Sequence, residues 1–185
     1  MSFSDIGNSR QIITIDSVGC GCTAKFYEKD GISWNCIMET YGAVGKNGVS
    51  DKSREGDYYT PQGIFSLGFA FGTEPMVGLG VEYRQINADC YWVDDPGSPL
   101  YNQWVESKSI TWNSAESLID YPEAYKYSVV INYNNDPVVA GKGSAIFLHC
   151  MSGSFTAGCV AIPEGEMLFV LKRLNAADSP LIIIE

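Results

Sequence analysis

Short stretches of branched and aromatic residues, broken by Gly, Pro and Asp, run through the chain and predict strands more often than helices. Residues 11–17 and 22–27 have strand composition, Asp30-Gly31 supplies a hairpin turn, and residues 32–38 run back as the partner strand. From 42 to 63 the pattern becomes loop-like, with repeated glycines around a charged stretch at 51–57. Residues 64–71 read as a buried strand, 94–99 as an irregular loop and 127–133 as a further strand. Two helices are expected. Asn113 and Glu116 have capping-box spacing, which predicts a short helix through Ile119 that Tyr121-Pro122 interrupts. Pro163 suits a first helical position, and Met167, Val170, Leu171 and Leu174 follow on one apolar face. Residues 180–184 close the chain as a buried strand, and no repeat or linker divides residues 1–185 into more than one domain.

Composition narrows the function. With 185 residues, 45% hydrophobic and 18% charged, including 8 Phe, 4 Trp and 11 Tyr, the chain can bury a sizeable core. Its 12 Lys and Arg against 22 Asp and Glu give a net charge of −10, which repels phosphate backbones and anionic lipid. No nucleic-acid binding and no acidic-membrane surface binding are therefore expected. Apolar runs such as 145–148 and 181–184 fall far short of the ~18 residues that cross a bilayer, which predicts a soluble polypeptide. Residues 1–7 lack both the basic and the apolar region of a secretory signal, so the chain either stays inside the cell or has lost a leader or anchor. Six cysteines are too few for a disulfide scaffold, and Cys20-x-Cys22 with one histidine is a poor metal clamp. No metal is expected. Cys36 and Cys90 read as small core residues, while one or two disulfides remain open.

The segment 145–163 carries the chemistry. It reads as an apolar strand ending in His149, a loop of small residues, Gly158-Cys159, and a helix start at Pro163. A strand end is a rigid mount, and the chain between the two residues is long enough to bring Cys159 back beside His149. A neighbouring imidazolium lowers a thiol pKa from about 8.5 to roughly 3.5–7.5, so Cys159 is expected as a thiolate near neutrality. Gly158 lets a substrate carbonyl approach, and its N–H together with that of Cys159 is expected to face a developing oxyanion. Cys150 also adjoins His149, but neighbours on a strand face opposite sides, which assigns Cys150 to the core. On residue types alone the other reading, a core histidine and an inert packed thiol, stays open.

Two motifs add a family resemblance. Thr156-Ala157-Gly158-Cys159-Val160, following His149, resembles the signature of the L,D-transpeptidase catalytic domain, in which a His precedes [S/T]-H-G-C and a hydrophobic residue. Upstream, Gly45-Lys46-Asn47-Gly48 and the stretch from Arg54-Glu55-Gly56-Asp57 through Thr60-Pro61-Gln62-Gly63-Ile64-Phe65 resemble that family's G-D-x-x-T-P-x-G-x-F segment. The likeness covers roughly residues 43–185. Ala157 replaces the family's second histidine, Ala161 stands where Arg or Asn is common, and the His-to-Cys spacing is short.

The resemblance implies a mainly β, L,D-transpeptidase-like β-sandwich with one or two short helices and no cofactor. It implies acyl transfer on peptidoglycan stem peptides. Cys159 attacks the carbonyl before a terminal D-Ala, and His149 takes the thiol proton and later activates the acceptor. An amine acceptor gives a 3→3 cross-link; water gives L,D-carboxypeptidase activity. A catalytically weak wall-binding module and, more remotely, a zinc-stabilised domain are the alternatives. Acylation of Cys159 by a carbapenem and an extracytoplasmic location, in the cell wall or periplasm, are implied in the same way. Thr156 is expected in the cleft by its motif position, with Arg54 and Arg84 as cations for substrate carboxylates. Tyr83, Trp92, Tyr101 and Trp104 are candidates for stacking on sugar or peptide.

Overall fold

Alternating branched residues build the first strands of the computed structural model, which describes residues 6–185; the absence of a leader signal, read partly from residues 1–5, lies outside the described residues. The strands β1 (Gln11–Val18), β2 (Gly21–Asp30) and β3 (Ser33–Ala43) form an antiparallel meander turning at Asp30-Gly31. Two short strands, β4 (Val49–Ser50) and β5 (Thr60–Pro61), pair across the glycine-rich loop and lead into β6 (Gly63–Gly72), with β7 (Tyr83–Gln85) beside it. A separate three-stranded sheet holds β8 (Cys90–Val93), β9 (Gln103–Glu106) and β10 (Ala115–Ser117). The chain then returns through β11 (Ser128–Ile131), β12 (Phe147–Cys150) and β13 (Val160–Ile162), helix α1 (Glu164–Arg173), and β14 (Leu181–Ile184).

The fold is mainly β. Neighbouring strands run β11-β12-β13-β3-β2-β1-β14-β6, and β6 pairs back onto β11, so eight strands close into a barrel. Closure leaves no free edge in that ring. Ile13, Ile15, Phe26, Leu148 and Ile162 fill one core with the Met167–Val170–Leu171 face of α1. A second core lies where the β8–β10 sheet meets the barrel: Trp92 sits 4.9 Å from Phe147, and Phe71 5.0 Å from it, both edge-on.

Three local expectations are corrected. Residues 115–117 form a strand and only Leu118–Asp120 makes a turn of 3-10 helix. Asn113 donates to Asp95 through both its backbone N–H and its amide, and Glu116 accepts from Tyr125, so neither residue caps a helix. Cys36 is exposed, although Cys90 is buried as expected. A bulge between Phe26 and Tyr27 opposes them to Met38 and Cys36, which changes the facing of the strand beyond it. Pro163 precedes α1 rather than opening it. All six cysteines are free thiols, and no helix among the described residues is long and apolar enough to cross a membrane.

Candidate active site

Strand alternation puts the two predicted residues on one side. In β12, Leu148 and Cys150 enter the barrel core, while Phe147 and His149 face the β8–β10 sheet. Parallel pairing of β12 with β13 sets His149 opposite Ala161, and Cys159 immediately precedes β13. His149 and Cys159 therefore line one cavity of about 450 Å³. Thr156 and Gly158 line it too, whereas Cys150 is 1% exposed in the core.

The upstream motif braces the thiol loop. Thr156 exchanges backbone hydrogen bonds with the Val44–Lys46 segment. The Thr60 hydroxyl accepts from the Gly45 N–H at 2.8 Å and donates to the Cys159 carbonyl at 3.1 Å. A Cβ at Gly45 would lie 2.3 Å from the Tyr58 carbonyl, so this close approach admits only glycine. The Thr156 hydroxyl donates to the same Cys159 carbonyl at 2.6 Å and accepts from the Gly158 N–H at 3.1 Å. Gly158, at φ +152°, thus spends its N–H inside the loop, and the expected pair of oxyanion donors is reduced to the Cys159 N–H.

Histidine and thiol are each held by backbone. His149 Nδ1–H donates to the Cys150 carbonyl at 2.8 Å; a carbonyl only accepts, so Nδ1 carries the proton and Nε2 remains the acceptor. The Cys159 sulfur receives the Phe147 N–H at 3.4 Å and gives its proton to the Ala145 carbonyl at 3.2 Å. Burial pushes the thiol up to about 12, helped by the Glu116 charge and opposed by the Phe147 N–H and Lys52. It also pushes His149 down to about 4, against the Cys150 carbonyl bond. The expected thiolate is corrected accordingly: burial favours the uncharged form of both groups, and the sulfur's hydrogen-bond partners are the Phe147 N–H and the Ala145 carbonyl, not the imidazole. Alkylation of Cys159 by iodoacetamide, followed by peptide mass spectrometry, is expected to accelerate about tenfold per pH unit from 7 to 10. A plateau near pH 7 would instead reveal a preformed ion pair.

Other predicted binding residues lie elsewhere. Arg54 is exposed and does not line the cavity. Arg84 pairs with Glu82 at 2.7 Å and stacks 3.7 Å over Phe69, beside a separate cavity of about 270 Å³ that Trp92 and Trp104 also line. Tyr83 donates to the Glu74 carbonyl, and Tyr101 is buried against Glu55. Reading the residues missed Lys52, Glu116 and Tyr125. Lys52 is buried in the cavity wall and ion-paired with Asp57 at 2.5 Å; the charged stretch 51–57 was the available signal. The Tyr125 ring stands edge-on to His149 at 5.6 Å, while its hydroxyl donates to Glu116. Nothing local announces that contact.

No protein-family model and no curated protein sequence matches the chain. Among solved structures it is similar to that of Bdellovibrio bacteriovorus Bd1075, with a TM-score of 0.50 at 16% identity. The match covers 98% of this chain and 50% of that one, so the domain spans about half the length of its structural neighbour. At this identity the likeness speaks for the fold.

Proposed function

We propose that this domain is a cysteine-dependent acyltransferase of the L,D-transpeptidase type, acting on peptidoglycan stem peptides in the cell wall or periplasm. The observation that carries the reading is the single cavity lined by Cys159, by His149 with its Nδ1 tied to a backbone carbonyl, and by the loop that the second motif braces. On this reading the barrel is an L,D-transpeptidase-like β-sandwich joined along the β6–β11 edge, where an irregular register marks the seam.

His149 Nε2 takes the thiol proton as sulfur attacks the carbonyl. Proton transfer is coupled to attack because the buried pair resists charge separation at rest. The Cys159 N–H supports the oxyanion, the imidazolium returns its proton to the leaving D-Ala amine, and the thioester passes to an acceptor. Folded protein incubated with disaccharide tetrapeptide is expected to release D-Ala and to show a thioester adduct on Cys159 by mass spectrometry. Absence of both across several pH values would remove the reading.

A further inference from the structure

The cavity of about 270 Å³ differs in charge from the one beside the thiol. The chain carries 22 Asp and Glu against 12 Lys and Arg, yet among the described residues lining this cavity Arg84 is the one charged side chain. Its guanidinium is held in place: it stacks 3.7 Å over Phe69, lies 5.9 Å from the Trp104 ring centre and donates from Nε to Glu82 at 2.7 Å. No hydrogen bond among the described residues uses its Nη groups. A planar fork fixed in this way matches a carboxylate, which accepts two parallel N–H bonds. Glu82 does not block it, because its side chain is 62% exposed and takes Nε, so the contact is a weak surface pair.

Neutral groups complete the wall. Half-buried Trp104 offers part of its ring to the cavity, a surface on which the C–H face of a pyranose packs. Asn132 spends its Nδ2 on Ser66, Gln103 its Nε2 on the Pro99 carbonyl, and Asn135 makes no side-chain hydrogen bond among the described residues. Each amide therefore keeps an oxygen free to accept, and sugar hydroxyls donate and accept at once. At this volume the cavity falls below the range of drug-sized pockets, which suits one ring rather than a chain. Trp92 and Asn102 wall it off from the thiol: Trp92 packs 4.9 Å from Phe147, and Asn102 Oδ1 receives the Ala145 N–H at 3.2 Å.

We propose that this cavity binds a sugar acid: one pyranose ring with its carboxylate on the Arg84 fork, its C–H face on Trp104 and its hydroxyls on Gln103, Asn132 and Asn135. The proposal does not depend on the acyl-transfer reading, since none of these residues lines the thiol cavity.

Calorimetric titration tests it with methyl β-D-glucuronide, with methyl β-D-glucoside, which lacks the carboxylate, and with acetate, which lacks the ring. The glucuronide is expected to bind about tenfold more tightly than either and to shift the Trp104 indole N–H resonance. Failure of the glucuronide to bind, or equal affinity for the glucoside, overturns the proposal. Equal affinity for acetate means a bare anion contact and overturns it too, as does binding that leaves Trp104 unshifted.

Substitution locates the carboxylate. Arg84→Met keeps a stem over Phe69 but removes the fork, and it should weaken the glucuronide about tenfold while leaving the glucoside unchanged. Arg54→Met removes the same charge outside the cavity and should change neither. A glucuronide preference that survives Arg84→Met, or that Arg54→Met abolishes equally, overturns the site. Should Arg84→Met protein fail to fold, Arg84→Lys keeps the charge without the paired N–H geometry and should lose most of the preference; full retention would overturn the fork. No readout involves Cys159, so loss of the nucleophile reading leaves the test intact.

Discussion

Cys159→Ala protein is expected to take up no carbapenem and to form no thioester with a stem tetrapeptide, a loss on the order of 10⁴-fold or more in turnover. Cys150→Ser protein should do both. The contrast follows from one register: alternation along β12 sends Cys150 into the barrel core, while Cys159 lines the cavity with His149. Serine at 150 places a hydroxyl where the Tyr127 carbonyl can receive it, since the present sulfur lies 3.6 Å from that oxygen. A stability loss of roughly 1–3 kcal/mol is expected for the buried hydroxyl, without loss of the adduct. Intact-mass spectrometry after carbapenem treatment reads the outcome. An adduct on Cys159→Ala protein, absent from Cys150→Ser protein, would move the nucleophile to the core side of the strand.

The second large effect concerns stability. Asp57→Ala strands the Lys52 ammonium, whose side chain is 3% exposed, and removes the acceptor for the Ser53, Arg54 and Tyr59 N–H groups. Breaking a buried pair on one side costs about 3–5 kcal/mol, and Lys52→Met/Asp57→Leu should recover the part owed to the stranded charge but not the part owed to the three N–H groups, which still lack their acceptor. Urea unfolding measures both. The pH dependence has a definite sign. Burial pushes the Asp57 carboxyl up, but Lys52 and the three N–H donors outweigh it and hold it below the usual range. Its contribution is therefore complete above the unfolded value of about 3.9 and fades as pH falls through the lower folded value. The gap between Asp57 and Asp57→Ala proteins should narrow only below about pH 4. An unchanged midpoint at pH 7 would mean that the pair does not hold the loop.

How much of this was legible varies with the range of the cause. The β2–β3 hairpin, α1 and β14 announce themselves through a D-G turn, a helical apolar face and a branched run, all local signals. Asn113 and Glu116 mislead because capping spacing is also local, and here Asp95 and Tyr125, brought close by folding, captured both side chains. The bulge that exposes Cys36 is similarly silent in the periodicity. In the site, the order His149, small loop, Gly158-Cys159 was readable, as was the supporting Gly45 and Thr60 segment. Arg54 and Arg84 stand out in the sequence as cations because charge is visible in one dimension and burial is not; Lys52 is the one that reaches the cavity.

The chain by itself determined the strand-rich character, the one amphipathic helix and the candidate thiol and imidazole, since backbone preference and apolar spacing act over a few residues. Tertiary structure alone decided that β6 meets β11, that Gly158 turns its N–H to Thr156, and that Glu116 and Tyr125 stand over the site. It also decided the charge state of Cys159 and His149, because desolvation depends on every element folded around a group and is written in no single stretch of sequence.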